Sequence, residues 1–218
     1  AAVDPSQSPA FTRVDKDRVE DASERPTDED YKRYTVLVEG IANDNFGPGA
    51  FAVYDPLMTT LLARSERDLA WLAGELGTES HASARAERLE RGLESLWHEE
   101  SGRYGFLDAH SKVHSPCDVL AAYAPLMLGD GLEASRSERL LTGLEPDLAC
   151  DWPRPSANPN SELFQPRCYW RGPTWINMNW LMAPYVGNAK VKDRTIELVD
   201  REGFREYYDP TTGEGLGA

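Results

Sequence analysis

Residues 55–97 read DPLMTTLLARSERDLAWLAGELGTESHASARAERLERGLESLW, and two successive helices are legible in them. Leu57, Leu61, Leu62, Leu69, Leu72, Ala73 and Leu76 keep a helical period. Asp55-Pro56 opens that helix with a cap and a proline, and Gly77 is its stop. Ser80 or Ser83 starts the second helix, which carries Leu89, Leu93 and Leu96-Trp97. Its charged run, Arg85-Ala86-Glu87-Arg88-Leu89-Glu90-Arg91, is a solvated face with pairs three and four residues apart. A pair of helices joined by a short link is the repeating unit this stretch predicts for the whole chain.

Working outward, the same signals recur. Residues 1–27 are polar and rich in Pro, Ser and Asp, an irregular surface arm. Pro26-Thr27-Asp28-Glu29-Asp30 is a helix start with Thr27 or Asp28 as N-cap, continued by Tyr31, Tyr34, Val38 and Ile41 and broken over 43–50. Residues 100–108, with two glycines among aromatics, predict a small hairpin. Val119 to Leu128 and Ser135 to Leu144 read as a further helical pair, and residues 145–171, with five prolines, as a long loop. Pro173 occupies the first position of a helix reaching Tyr185; Lys190 to Glu202 forms the last helix, before an irregular tail. About seven helices in pairs argue for an all-α toroid or solenoid. Without an internal repeat of 20–50 residues, an ordinary solenoid is disfavoured. No linker separates two cores, so 1–218 reads as a single domain.

Composition bounds the function. The 218 residues carry 23 Lys and Arg against 37 Asp and Glu, a net charge of −14. A chain this acidic lacks the basic footprint that nucleic acid or an anionic membrane surface requires. No apolar run approaches a bilayer span and no secretion signal is visible. Cys117, Cys150 and Cys168, odd in number and far apart, suit reduced thiols in the cytoplasm. His110, His114 and Cys117 have the donor types of a zinc site, but Pro116 interrupts them and no second cluster follows, so neither a metal nor another cofactor is expected. Dinucleotide, phosphate-loop and serine-hydrolase motifs are missing.

Chemistry concentrates in CYWRGPTWINMNW, residues 168–180. Three Trp, a Tyr, an Arg and two Asn fall at a junction between loop and helix. A lone Trp is most often a core wedge. A cluster of flat rings with amide and guanidinium donors instead matches the apolar faces and hydroxyl rims of a sugar. The tail FREYYDPTTGEG, residues 204–215, adds carboxylates: Glu206 among aromatics, and Glu214 between glycines in what reads as a flexible exposed loop.

The runs YWRGPTWINMNW and EYYDPTTGEGLGA resemble the (α/α)6-barrel, six-hairpin enzymes of glycoside hydrolase family 63 and their trehalase relatives. RPTDEDYKRY (25–34) and FAVYDPLMTTLLARSERDLAWLAGELG (51–77) are similar to the bacterial subgroup that cleaves glucosylglycerate and mannosylglycerate. The resemblance implies inverting hydrolysis of an α-glycosidic bond, with an Asp acid and a Glu base about 6.5–9.5 Å apart. The family's base lies in a Glu-x-Tyr-Asp/Asn pattern, which falls on Glu206 rather than Glu214. Tyr169, Trp170, Gly172 and Trp175 match the part of the motif that lines the sugar site. Arg25 and Tyr31 match a segment bordering the acceptor, where an Arg suits a glycerate carboxylate. The acid's Gly-x-Asp-Asn-Ser-Pro motif is not in this sequence, and a full barrel has twelve helices. The expectation is therefore the C-terminal half of a toroid, shorter than its relatives between Trp180 and Glu206 by about two helical turns, acting on a small carbohydrate. A trehalase or α-glucosidase activity, or a carbohydrate-binding protein without an acid–base pair, are the alternatives.

Overall fold

The computed structural model describes residues 3–19, 21–45, 47, 49, 51–115, 118–187 and 189–217. Helix α1, Asp28–Asn43, starts in a reciprocal capping box: Thr27 accepts from the Asp30 amide, and Asp30 accepts from the Thr27 amide. Residues 46, 48 and 50 of the expected break lie outside the described set.

Helix α2, Pro56–Leu76, begins and ends where its sequence says. Asp55 caps the amides of Leu57 and Met58, Pro56 occupies the first turn, and Gly77 is left-handed at φ +63°. Helix α3, Ala82–Glu94, follows a short link; the Ser80 hydroxyl accepts from the Ala82 amide. The two helices pack along their length. The expected hairpin over 100–108 divides in two. Strands β2 (Trp97–His98) and β3 (Arg103–Tyr104) form one ribbon, while β4 (Phe106–Asp108) joins β1 (Val53–Tyr54) and β5 (His114–Ser115) in a three-stranded sheet.

Further expectations need correction. Leu120–Gly131 is a 3-10 segment rather than an α-helix, because Pro125 offers no amide and Gly129 turns out of helical geometry. Helix α4, Ala134–Leu148, runs on past Glu145 through Pro146, burying Leu140, Leu144 and Leu148. Helix α5, Ile176–Val186, starts three residues after Pro173, since Thr174 is held in an antiparallel bridge with Tyr208. Helix α6, Ala189–Glu202, completes the set. The tail is not irregular: β6 (Tyr207–Tyr208) pairs with β7 (Gly215–Leu216) in a hairpin.

The core lies where α3, the 3-10 segment, α4 and α5 converge, around Leu93, Leu96, Tyr104, Tyr123, Leu140 and Met182. The Arg103 guanidinium and the Tyr123 hydroxyl both bond Asp147, tying the β2–β3 ribbon to α4. By contrast α1 buries no side chain, and Met58, Leu62, Leu69 and Trp71 of α2 are exposed. The architecture is all-α with small hairpins, a partial α/α toroid.

Candidate active site

Three segments distant in sequence meet at one hollow of about 290 Å3: the end of the arm, the start of α1, and the loop before α5. Arg25, Tyr31, Tyr34, Tyr169, Trp170 and Arg171 line it. A groove of about 1130 Å3 lies elsewhere, between α2 and the three-stranded sheet; its wall is mostly apolar and carries none of the aromatic motif.

The rings are arranged by the loop backbone. Trp170 and Trp175 stack with centroids 4.0 Å apart and planes 1° from parallel. Trp170 is 43 % exposed and Trp175 only 7 %, so Trp170 presents the open face and Trp175 supports it. Tyr169 sits edge-on to both. Its φ of +36° is a strained geometry for a side chain of this size. The Trp175 indole N–H fixes that turn by donating to the Tyr169 carbonyl at 3.1 Å. Gly172 does not line the hollow. A Cβ there would come within 2.4 Å of the Gln165 carbonyl oxygen, so glycine lets the loop close on itself.

Glu206, at the entry to the tail hairpin, meets the hollow through Arg25. The Arg25 Nη2 donates to Glu206 Oε2 at 2.6 Å and Nη1 to Oε1 at 3.4 Å. Arg25 also faces the rings of Tyr169 at 5.4 Å and Tyr207 at 6.0 Å. Tyr31 lies under Arg13, whose guanidinium carbon is 3.5 Å from the ring centroid, and stacks against Phe11. Burial, with the Asp15 carboxylate second, raises the Tyr31 phenol. Arg25, Tyr31, Tyr169, Trp170, Trp175 and Glu206 are thus brought together, whereas Gly172 is a packing residue behind them.

Sequence reading missed Tyr207. It is fully buried beside Trp175, and burial pushes its phenol up to about 12. Its hydroxyl and the Arg25 Nε are buried polar atoms with no hydrogen-bond partner among the described residues. Its place beside Glu206 in the tail was the available signal. Glu214 is less free than its glycine neighbours imply: Arg167 bonds its carboxylate, and its carbonyl accepts from the Asp209 amide. The Cys168 thiol lines the hollow half-buried, and burial raises its pKa.

The His110, His114 and Cys117 trio is only partly visible, because Cys117 lies outside the described residues. His110 bonds the Gly49 carbonyl, and His114 lies in β5 with its ring centroid 6.5 Å from that of His98. Among the described residues no group of three His, Cys, Asp or Glu is placed to hold a metal ion.

The half-toroid thus gathers an aromatic shelf, a guanidinium and a carboxylate around one hollow. The chain matches, over residues 2–218, the mannosylglycerate hydrolase MGH1-like glycoside hydrolase domain, and it belongs to that family. It is 34 % identical to a mannosylglycerate hydrolase of Thermus thermophilus, covering 96 % of this chain and 54 % of that protein. It is 31 % identical to a glucosylglycerate hydrolase of Mycolicibacterium hassiacum, covering 100 % of this chain and 54 % of that one. A crystal structure of a T. thermophilus mannosylglycerate hydrolase of glycoside hydrolase family 63, in complex with Tris and D-glycerate, superposes with a TM-score of 0.88 at 34 % identity, covering 99 % of this chain and 55 % of that one. The chain spans about half the length of the curated relatives it matches. The yeast neutral trehalase Nth1, at 18 % identity and a TM-score of 0.55, shares the fold alone.

Proposed function

We propose that this chain carries the sugar platform and the general base of an inverting hydrolase acting on a small α-glycoside of glycerate. The observation that carries the reading is the Arg25–Glu206 pair beside the Trp170–Trp175 stack. Trp170 offers a flat apolar face to a pyranose ring. Arg25 aims its fork at Glu206 and orients that carboxylate, which takes a proton from water as the water attacks the anomeric carbon. Arg25 and Arg171 line the hollow, paired with Glu206 and, at 3.8 Å, with Asp30; the guanidinium N–H groups those pairs leave over suit an aglycone bearing a carboxylate better than a neutral one such as the second glucose of trehalose. The T. thermophilus relative crystallised with D-glycerate supports this preference.

Inversion also needs an acid across the bond from the base. The family resemblance assigns it to a motif this sequence does not contain, so the reading covers base and platform. The half-buried thiols Cys150 and Cys168 suit a reducing, cytoplasmic setting. Among the described residues no helix is long and apolar enough to cross a membrane.

The test belongs in the complete gene product. A general base contributes roughly 10²–10⁴-fold to rate, so Glu206→Gln is expected to lower kcat by that order with little change in KM. Trp170→Ala should raise KM. Glu214→Gln, whose carboxylate is held by Arg167 and not by Arg25, should cost less than about tenfold, a barrier change under ~1.4 kcal/mol. Full turnover by Glu206→Gln, or a preference for trehalose over glucosylglycerate and mannosylglycerate, defeats the proposal.

A further inference from the structure

Behind the hollow lies a charge cluster to which the reading above gives no task. Arg167 reaches three carboxylates at once. Its Nη2 donates to Glu24 Oε1 at 2.8 Å, its Nη1 bonds Glu214 Oε2, and Asp209 Oδ2 stands 3.7 Å from Nη1. The side chains of Glu24 and Asp209 are only 6 % and 5 % exposed, while that of Glu214 is more than half open to solvent. Two almost fully buried carboxylates around one guanidinium are tolerable because that cation is present; losing it leaves them with hydrogen bonds from Thr211, Thr212 and the Gly217 amide but without the cation's charge.

The partners of Arg167 sit in two segments, the arm and the tail, and each of these also supplies one member of the Arg25–Glu206 pair. Glu24 precedes Arg25. Arg167 itself leads through Cys168 to Tyr169 and Trp170. Asp209 ends the run Glu206-Tyr207-Tyr208-Asp209, and its Oδ1 is engaged locally by the Thr211 amide at 2.8 Å and hydroxyl at 2.6 Å. That leaves Oδ2 for Arg167. The arm and the tail hairpin therefore each meet the loop twice, once at the Arg25–Glu206 pair and ring stack, and once at Arg167.

Only a fork-shaped cation serves this geometry. A guanidinium presents separate N–H groups to separate carboxylates in one plane, whereas an ammonium is a compact point charge on a flexible stem. We infer that Arg167 is a positioning residue for the Arg25–Glu206 pair, locking the arm and the tail hairpin against the loop that carries the stacked rings. The kinetic part of this inference rests on the reading of Glu206 as a base; its geometric part does not.

Two measurements on the complete gene product test it. Crystal structures of Arg167→Met and Arg167→Lys are expected to show the Arg25–Glu206 contact opened from 2.6 Å to beyond 4 Å in the first and lengthened in the second. An unchanged contact in both overturns the inference whatever the activity. Arg167→Lys keeps a cation beside Glu24 and Asp209, so a folded protein remains to be measured if Arg167→Met fails to fold.

In kinetics, a displacement of about 1 Å costs on the order of 10²-fold. Arg167→Met is expected to lower kcat/KM by about that factor, and Arg167→Lys by about tenfold. If Arg167 acts through the pair, its loss adds nothing once Arg25 is gone. Arg25→Ala/Arg167→Lys should then match Arg25→Ala within about threefold, a coupling that a purely structural role would not produce. Losses that multiply in the double variant overturn the inference. Should Glu206→Gln retain full turnover, the base assignment falls, and the crystallographic distance still decides the role of Arg167.

Discussion

At Gly217 the backbone turns at φ +77° and passes directly over the Glu206 side chain. A Cβ built there would stand 2.6 Å from the Glu206 Cβ and 2.8 Å from its Oε2. Contacts that short do not occur, and the left-handed backbone adds its own penalty for an L side chain. Gly217→Ala must therefore move either the tail or the carboxylate. Because a carboxylate displaced by about 1 Å loses on the order of 10²-fold in rate, kcat is expected to fall by ten- to a hundredfold, with KM for the sugar less affected since Trp170 is untouched. A wild-type kcat in a correctly folded Gly217→Ala protein would show that the tail yields and the Glu206 carboxylate keeps its place. Single residues of this kind were hard to read in sequence. Glu206 and the rings were visible through their chemistry, but a glycine near the end of a tail announces nothing about the side chain beneath it, and Arg167 gave no hint of three partners 42 to 143 positions away.

Elements were more legible wherever their cause is local. Asp55-Pro56 and Gly77 mark α2 because capping and left-handed termination involve neighbours only. Thr27 and Asp30 mark α1 for the same reason, and here the cap carries unusual weight, since α1 buries no side chain. Thr27→Ala should cost about 1 kcal/mol, read as faster amide exchange confined to the first turns of α1; exchange unchanged there would deny the capping box its role. Where the cause is long-range, sequence misled: α5 starts late because Thr174 pairs with Tyr208, and the tail is ordered by Tyr207 opposite Leu216. The arm gives a pH signature. Arg13 bonds Asp15 and Asp28, and Lys16 also bonds Asp28. Asp15 is held well below its ordinary value, first by the Arg13 hydrogen bond, and Asp28 is lowered first by Lys16. Folded-state values depressed in this way contribute stability above the ordinary carboxylate range, which is lost as pH falls through the lowered values. The protection of residues 13–19 against amide exchange, taken relative to the intrinsic rate at each pH, is therefore expected to be constant at neutral pH and to fall only below about pH 4. Protection lost from near pH 6 would point to a histidine instead.

For the whole molecule the decisive quantity is surface. A compact protein of 24.3 kDa exposes about 10,000 Å2, whereas this chain exposes 12677 Å2. Part of the excess belongs to the extended arm, but its chemistry is set by α1 and α2. Tyr34, Val38 and Ile41 stand open on one helix, and Met58, Leu62, Leu69, Trp71, Leu72 and Leu76 on the other. Nine large apolar side chains open on two helices mark a surface made to be covered or prone to associate, and the groove of about 1130 Å3 carries Phe51, Phe106 and Val113 in its wall. A half-toroid has this shape because its helices are amphipathic toward neighbours that a closed ring would supply. The core around Leu93, Tyr123 and Leu140 is nonetheless closed within the chain itself, so folding and exposure are expected together. Residues 1–218 produced alone should give a strongly helical circular-dichroism spectrum, bind a hydrophobic dye, and elute above monomer mass at micromolar concentration. Replacing Leu69, Leu72 and Leu76 by Lys should reduce dye binding and shift the chain toward monomer without loss of helix, because none of the three is buried. A dye-silent monomer with its native leucines would mean that the faces of α1 and α2 close on each other in solution.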